Sequence, residues 1–166
     1  MPSPFDIDNL TDTSREFARE FLGRFPALAS CCSTQSLEGI PGNHLAIQID
    51  SPAGADRKVC IWMEGEHEPS LVFGADGWHT HNTHYRELGD GRYRNESLLD
   101  LLPAILTDEF VICEEPDAPP DRMSSVLDLR DPTALLDEVT SPGSSERIRI
   151  KSFTGRADRE TSLADL

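Results

Sequence analysis

The hydrophobic residues near the amino terminus recur every four positions. The repeated residues are Phe17, Phe21 and Phe25. This spacing places one apolar stripe along a helix, and Thr13 with Glu16 has the spacing of a capping box at its start. Pro26 ends the pattern. We therefore predict a helix over 13–25, followed by a connection over 27–42 in which small and polar residues prevail.

From residue 44 the hydrophobic period changes from four to two. Three short alternating segments follow, separated by turns, and their apolar positions on one side are Leu45, Ile47, Ile49, Val59, Ile61, Met63, Leu71 and Phe73. Such alternation is typical of strands with one buried face, and short links favour antiparallel neighbours. The pattern predicts an antiparallel meander with one face on the core.

A second helix and further strands are predicted later in the chain. Asn95 or Ser97 can cap a helix over 98–106, which has a wide apolar face and must kink or begin near Pro103. A short helix is predicted over 133–139. Strand candidates are Phe110–Cys113, Val126–Leu129 and Arg147–Phe153. Because the last of these alternates basic and apolar residues, we expect it to be an edge strand with a basic outer face.

These elements predict one α+β domain over residues 1–160, with an antiparallel β-sheet and helices packed on one face. A length of 166 residues is enough for a hydrophobic core. The residues expected to join the helices to the sheet are Phe17, Phe21, Leu98 and Leu102. Residues 161–166 have little apolar surface to bury and are expected to fray.

The net charge of the chain limits the kinds of molecule that it is expected to bind. The chain has 30 acidic and 15 basic residues, for a net charge of −15. This excess repels nucleic acid and anionic membrane surfaces and favours a basic protein, although it also simply aids solubility. Acidic residues concentrate in an expected loop, Glu114–Asp121. Either they neutralise the basic stretch near the carboxyl end, or Glu114, Glu115 and Asp117 form a docking surface.

The cysteine pattern and the first residues of the chain indicate the cellular compartment in which the protein is expected. The residues from Met1 to Asp8 lack the basic and apolar succession of a secretory signal, and no apolar run approaches the ~18 residues of a membrane helix. The four cysteines make no CxxC pair. We expect a cytoplasmic protein with reduced thiols.

The densest chemical feature is a histidine-rich segment, Trp78-His79-Thr80-His81-Asn82-Thr83-His84. In an extended chain His79 and His81 share one face, about 7 Å apart along the strand, which is close enough to reach one metal ion. His84 joins them only after a turn. One hypothesis is therefore a zinc site of His79, His81 and His84. The others are a recognition strand in which Trp78 anchors a partner, and proton transfer by a histidine oriented by Asp76.

This histidine spacing resembles the HxHxDH signature of metallo-β-lactamase-like hydrolases, and Thr83 stands where that family has its aspartate. The resemblance implies a zinc-dependent hydrolase that uses the three histidines as ligands. Cys60 and Cys113 lie in apolar strands where thiols are inert, whereas Cys31 and Cys32 lie in a polar connection and are expected to be the more reactive thiols. No basic residue flanks Cys31 and Cys32 closely, so the residues offer no activated nucleophile. No phosphate-binding or nucleophile-elbow motif is present.

The order of elements also resembles a loose group of small bacterial proteins, some of which resemble immunity proteins of toxin systems. The shared features are a strand pair, a glycine-led segment that ends in Trp-His-Thr-His, a helix and a late strand; here they are Leu45–Met63, Gly74–His81, Leu98–Leu106 and Lys151–Gly155. This resemblance implies no catalytic residue and favours a protein that works by binding.

The favoured interpretation is thus a non-catalytic protein-binding module without a cofactor, whose partner is a basic protein such as a toxin or effector. The expected binding residues are Trp78, His79, His81, Glu114, Glu115 and Asp117. The alternative is a metal-binding protein or metal-dependent hydrolase with zinc at the histidine cluster. Metal analysis distinguishes the two.

Overall fold

The computed structural model describes residues 5–64, 68–74, 78–81, 83–88, 92–115, 125–131, 133–134 and 147–162. Within these ranges the α-helices are α1 (Asp12–Arg24) and α2 (Leu98–Leu106). Short 3-10 segments cover Ile7–Asn9, Pro26–Cys31 and Ala55–Arg57. The strands are β1 (Cys32–Leu37), β2 (Ile40–Ile49), β3 (Val59–Glu64), β4 (Glu68–Phe73), β5 (Trp78–His81), β6 (Thr83–Glu87), β7 (Tyr93–Ser97), β8 (Phe110–Glu114), β9 (Ser125–Asp128), β10 (Arg147–Lys151) and β11 (Arg159–Ser162).

The strands form three antiparallel groups. Strands β1 to β5 make a five-stranded sheet in chain order, and its strands β2, β3 and β4 are the three strands of the predicted meander. A second sheet has the order β11-β10-β8-β9, and β6 pairs with β7 in a separate hairpin. The predicted α+β class with an antiparallel sheet is confirmed.

The main core lies between the inner face of the five-stranded sheet and the two helices. Its sheet residues are the predicted ones: Leu45, Ile47, Ile49, Val59, Ile61, Met63, Leu71 and Phe73. Phe21 of α1 and Leu98 and Leu102 of α2 are buried against them, whereas Phe17 is only partly buried at the margin. Full burial of each large side chain contributes about 1.5–3 kcal/mol, so this layer dominates the stability of the fold.

Helix α1 begins differently from the prediction. It starts at Asp12 with Thr11 at the N-cap position, and Thr13 lies inside the first turn, so the Thr13–Glu16 capping box does not form. Two hydrogen bonds to backbone carbonyls hold the start instead. The Thr11 N–H donates to the Asn43 carbonyl of β2 at 2.9 Å, and the Arg15 guanidinium donates to the Leu10 carbonyl at 2.7 Å.

The predicted connection over 27–42 was wrong, because it contains β1 and the start of β2. The side chains of β1 are mostly polar and exposed, since it is an edge strand of the sheet. Its register with β2 runs from Cys32 opposite Ile47 to Gln35 opposite His44. Gly39 supports the tight turn between the two strands with a positive φ of 76°, a conformation that glycine adopts without a steric penalty.

Helix α2 has the predicted cap. The Ser97 side chain accepts from the Asp100 N–H while the Asp100 carboxylate accepts from the Ser97 N–H, which completes a capping box. Pro103 lies inside the helix, which begins well before it and continues to Leu106. The Thr107 hydroxyl then donates to the Pro103 carbonyl at 2.8 Å. Of the two alternatives predicted for Pro103, a kink or a helix start, the start near the proline is excluded.

The second sheet corrects two further predictions. Strand β10 is not an edge strand, because it lies between β11 and β8. Its basic side chains are compensated from β11, where Glu160 binds both Arg147 and Arg149 at 2.8 Å. The fraying predicted from residue 161 was wrong for its first two residues: Thr161 pairs with Ile148 and is buried, and Ser162 ends the strand.

Some predictions fall outside the described residues. These are most of the short helix over 133–139, Asp76, and the acidic loop from residue 116 onward, which includes Asp117. Within the described ranges, neither helix is long and apolar enough to cross a membrane.

Candidate functional site

Strand β5 divides the histidine-rich segment between the two faces of its sheet. It pairs with β4, which sets Trp78 opposite Phe73 and His79 opposite Val72. Since side chains alternate along a strand, Trp78 points to the core side and His79 and His81 point outward. Both histidines are exposed. The expectation that they share a face agrees with this placement.

His79 and His81 lie close together and one of them is anchored. Their ring centroids are 5.1 Å apart, with the planes at 80°. Ser70, directly opposite His81 on β4, places its Oγ 2.7 Å from His81 Nδ1. Ser70 is fully buried, so the imidazole of His81 is held by a fixed group.

His84 lies elsewhere. Strand β6 pairs with β7 and not with the five-stranded sheet, and the Thr80 hydroxyl donates to the Thr83 carbonyl at 2.8 Å. The His84 ring then packs edge-on against Phe110 at 5.2 Å and Trp78 at 6.1 Å. The predicted convergence of three histidines was therefore wrong in its geometry. Among the described residues, no three histidine, cysteine, aspartate or glutamate side chains form a metal-ligand group.

Trp78 packs in the same place as His84, against Phe110. Its ring packs on Phe110 at 5.0 Å, and it borders the main core. Trp78 thus lies on the opposite side of the sheet from His79 and His81. The binding role expected of these three residues stays a prediction.

A different tryptophan shares the histidines' face. We call the side of the five-stranded sheet opposite the helices the outer face; its residues are Ala46, Gln48, Cys60, Trp62, Ser70, Val72, His79 and His81. Trp62, Ser70 and His81 form one row across three strands, and Cys60, Val72 and His79 form the next. Trp62, Cys60 and Val72 are half-buried, and neither of the two clusters formed by described residues includes them.

Of the acidic residues predicted to bind a partner, Glu114 is paired with a lysine of the fold. Glu114 ends β8, where its carboxylate lies 2.7 Å from Lys151 Nζ, and Asp56 lies 3.2 Å from the same ammonium. Burial by itself lowers the pKa of Lys151, but hydrogen bonds to Glu114 and Asp56 outweigh it and raise the pKa. Glu114 is thus neutralised within the fold. Glu115 directly follows β8, and Asp117 is outside the described residues.

A mixed-charge cluster, which the sequence did not predict, lies beside His84. Arg130 binds Glu96 at 2.8 Å and Asp128 at 2.7 Å, and Arg86 approaches the same carboxylates at 3.7 and 3.6 Å. Hydrogen bonding to Asp128 is the largest of the effects that raise the pKa of Arg130. These four residues come from three segments, β6, β7 and the end of β9 with the turn after it, and each alone resembles an ordinary surface charge. Their signs cancel, which suits a structural network.

Burial dominates the chemistry of His84. It lowers the pKa of the imidazole, with a smaller effect of Arg130 in the same direction, while Asp128 and Glu96 oppose it. His84, Arg86, Phe110 and Asp128 line part of a pocket of about 150 Å³. The neutral imidazole is therefore the stable form at neutral pH, and the ring serves as an aromatic packing unit.

The four cysteines are free thiols, and burial makes Cys32 and Cys60 poor nucleophiles. Burial, and to a smaller extent Cys31, raise the pKa of Cys32 to about 11. Burial also raises the pKa of Cys60. The expectation that the thiol of Cys32 is among the more reactive was wrong, because its thiolate form is suppressed at neutral pH.

Comparisons with protein-family models, with curated proteins and with solved structures found no match. The resemblances to metallo-β-lactamase-like hydrolases and to immunity-like proteins stay predictions. Function has to be argued from the geometry of the outer face, the paired histidines and the charge distribution.

Proposed function

We propose that the protein is a non-catalytic protein-binding module whose outer face binds a basic protein. The observation that carries the proposal is the half-exposed apolar group Trp62, Cys60 and Val72, which lies on a sheet face away from both helices and belongs to neither core. Apolar side chains in that position gain free energy when a partner covers them.

The composition of the outer face suits an interface. Trp62 is of a residue type enriched at the energetic centre of protein complexes, and Val72 lies on the next strand, directly opposite Cys60. His79 and His81 add exposed polar groups along one side. An apolar centre with a polar margin is the usual anatomy of a protein interface.

Charge favours a basic partner. The net charge is −15, and many described cations are already used in ion pairs within the fold, as with Arg24, Arg57, Arg130, Arg149 and Lys151. Asp50 and Glu68 are exposed where β2 ends and β4 begins, at the margin of the outer face. A positively charged partner is attracted by such a surface.

The setting we propose is the cytoplasm, because four free thiols suit a reducing compartment. There the partner would be a basic toxin or effector, in the manner of the immunity proteins that the sequence resembles. Binding through the outer face would leave the helices and the second sheet unchanged.

The experiment uses two lysine pairs that alter net charge equally. Gln48→Lys with Val72→Lys places both charges on the outer face, whereas Tyr85→Lys with Tyr93→Lys places them on the β6–β7 hairpin, where the tyrosines are 67% and 64% exposed. Each protein is used as bait in extracts of its source cell at low and high salt. We expect wild-type and hairpin-variant baits to retain the same basic protein and the outer-face variant to lose it.

The association rate is then measured with the purified protein and its purified partner. The association rate should fall as salt rises, since screening weakens long-range attraction. Equal losses from both lysine pairs would indicate a general charge effect, and loss from the hairpin pair alone would place binding on the hairpin. Either result, or the absence of any basic protein on the wild-type bait, counts against the proposal.

A further inference from the structure

We propose that His79 and His81 form a two-histidine site for a divalent transition metal of the zinc type, and that Ser70 positions His81 in it. The inference is independent of the protein-binding proposal, because it rests on the geometry of two imidazoles and one hydroxyl. It replaces the three-histidine arrangement predicted from the sequence, since the ring of His84 packs on the other side of the sheet against Trp78 and Phe110.

The separation of the two rings fits a shared ion. With metal–nitrogen bonds of about 2.0–2.1 Å and a tetrahedral angle between them, the centres of two imidazoles on one ion lie about 5 Å apart. The ring centroids of His79 and His81 are 5.1 Å apart. The two side chains leave one strand on the same face with one residue between them, so the backbone of β5 fixes their spacing.

Ser70 supplies the outer support that histidine ligands commonly have. Its Oγ lies 2.7 Å from Nδ1 of His81, and its side chain is fully buried in β4. When Nδ1 donates its hydrogen to this oxygen, the lone pair of His81 is on Nε2, the nitrogen at the far end of the ring. Such a bond selects the tautomer and the ring orientation that a metal needs.

The ligand type selects the class of ion. Imidazole nitrogen suits Zn²⁺, Cu²⁺ and Ni²⁺, whereas Mg²⁺ and Ca²⁺ prefer oxygen ligands. Two imidazoles provide half of a tetrahedral set, and water or side chains of a bound protein supply the rest. The site therefore binds an ion without an enclosed cavity, as expected for exposed residues of a sheet face.

The test measures Zn²⁺ binding to tag-free protein by calorimetry, together with the nitrogen hyperfine signal of bound Cu²⁺. We expect one ion per chain and a Cu²⁺ spectrum with two imidazole nitrogens. Ser70→Ala should weaken Zn²⁺ binding about tenfold, the usual effect of losing an outer-shell partner, and His79→Ala or His81→Ala should weaken it further. Both histidines are exposed, so these two variants should keep the wild-type melting temperature.

His84→Phe is the matched control. It removes another histidine of the same segment and keeps an aromatic ring against Phe110, so Zn²⁺ affinity should stay at the wild-type value. Binding that survives His79→Ala and His81→Ala, or that His84→Phe abolishes, would overturn the proposal, as would equal affinity for Mg²⁺. The lysine pairs that test protein binding leave all three histidines intact, so failure of one proposal is distinguishable from failure of the other.

Discussion

Arg130 binds Glu96 at 2.8 Å although the glutamate side chain is only 5% exposed. This ion pair joins the turn after β9 to strand β7, so it fastens the β6–β7 hairpin to the second sheet. Arg86 adds a further contact to Glu96 from β6. Glu160 makes an outwardly similar pair of bonds with Arg147 and Arg149, but its side chain is 42% exposed.

The two glutamates should therefore differ in their contribution to stability. Glu96→Ala leaves two partly buried arginines without this carboxylate and should lower the free energy of unfolding by about 3 kcal/mol. Glu160→Ala removes an exposed carboxylate and should change stability little, because water screens surface pairs. Urea denaturation of both variants checks the difference. Small and equal losses would show that the Glu96 network contributes no more than a surface pair.

His84 should make the fold sensitive to mild acid. Burial lowers its pKa in the folded protein, so below the ordinary value of about 6.5 the unfolded chain takes up the proton more readily. The folded state is therefore penalised as pH falls through that range, and no penalty exists above it. In His84→Phe this component should vanish. Melting temperatures of both proteins between pH 7.5 and pH 5 test the point, and parallel curves would contradict it.

Asp100 should stabilise α2 only while it is ionised. A hydrogen bond from Arg24, and then one from Ser97, lower the pKa of its carboxyl group. A lowered pKa stabilises the folded state above the ordinary value of about 3.9, and this contribution is lost as pH falls below it. We expect wild type to be more stable than Asp100→Asn at pH 7 by a modest margin, since the side chain is half exposed, and the margin to close toward pH 3. A margin that stays constant in chemical denaturation would argue against an ionic contribution.

Truncation of two neighbouring residues on β3 should lower stability by very different amounts. Ile61 is buried in the main core, so Ile61→Ala should cost about 2–5 kcal/mol. Cys60 lies on the outer face and belongs to neither core, so Cys60→Ala should cost much less. Thermal unfolding of the two variants measures the contrast. Comparable losses would mean that the outer face is packed as tightly as the inner one.

The sequence predicted the meander because burial on one face leaves a period-two record, as at Leu45, Ile47 and Ile49. It did not predict β1, since an edge strand exposed to solvent carries polar residues on most positions. Nor did it place β10 inside its sheet: a basic outer face suggests an edge, and the compensating Glu160 comes from a strand that shows little apolar alternation.

In the candidate site, too, the sequence predicted only what a local pattern records. Alternation along β5 was enough to place His79 and His81 on one face. Grouping His84 with them failed because spacing along a chain does not report that β6 leaves the five-stranded sheet and that the His84 ring packs on Phe110. The partnership of Glu96 with Arg130 joins residues far apart in the chain, and no local pattern records such a contact.

The order of strands has a consequence for a chain still being synthesised. In the five-stranded sheet each new strand pairs with the one made just before it, whereas β10 must return to β8 across residues 115–146, and β11 follows later still. Pairing between sequence neighbours closes short loops and forms early, and distant pairing forms late. A nascent chain that has passed β8 already holds the meander and both helices of the main core. It would therefore display Trp62 and the paired histidines before the ribosome has delivered the strands that complete the second sheet.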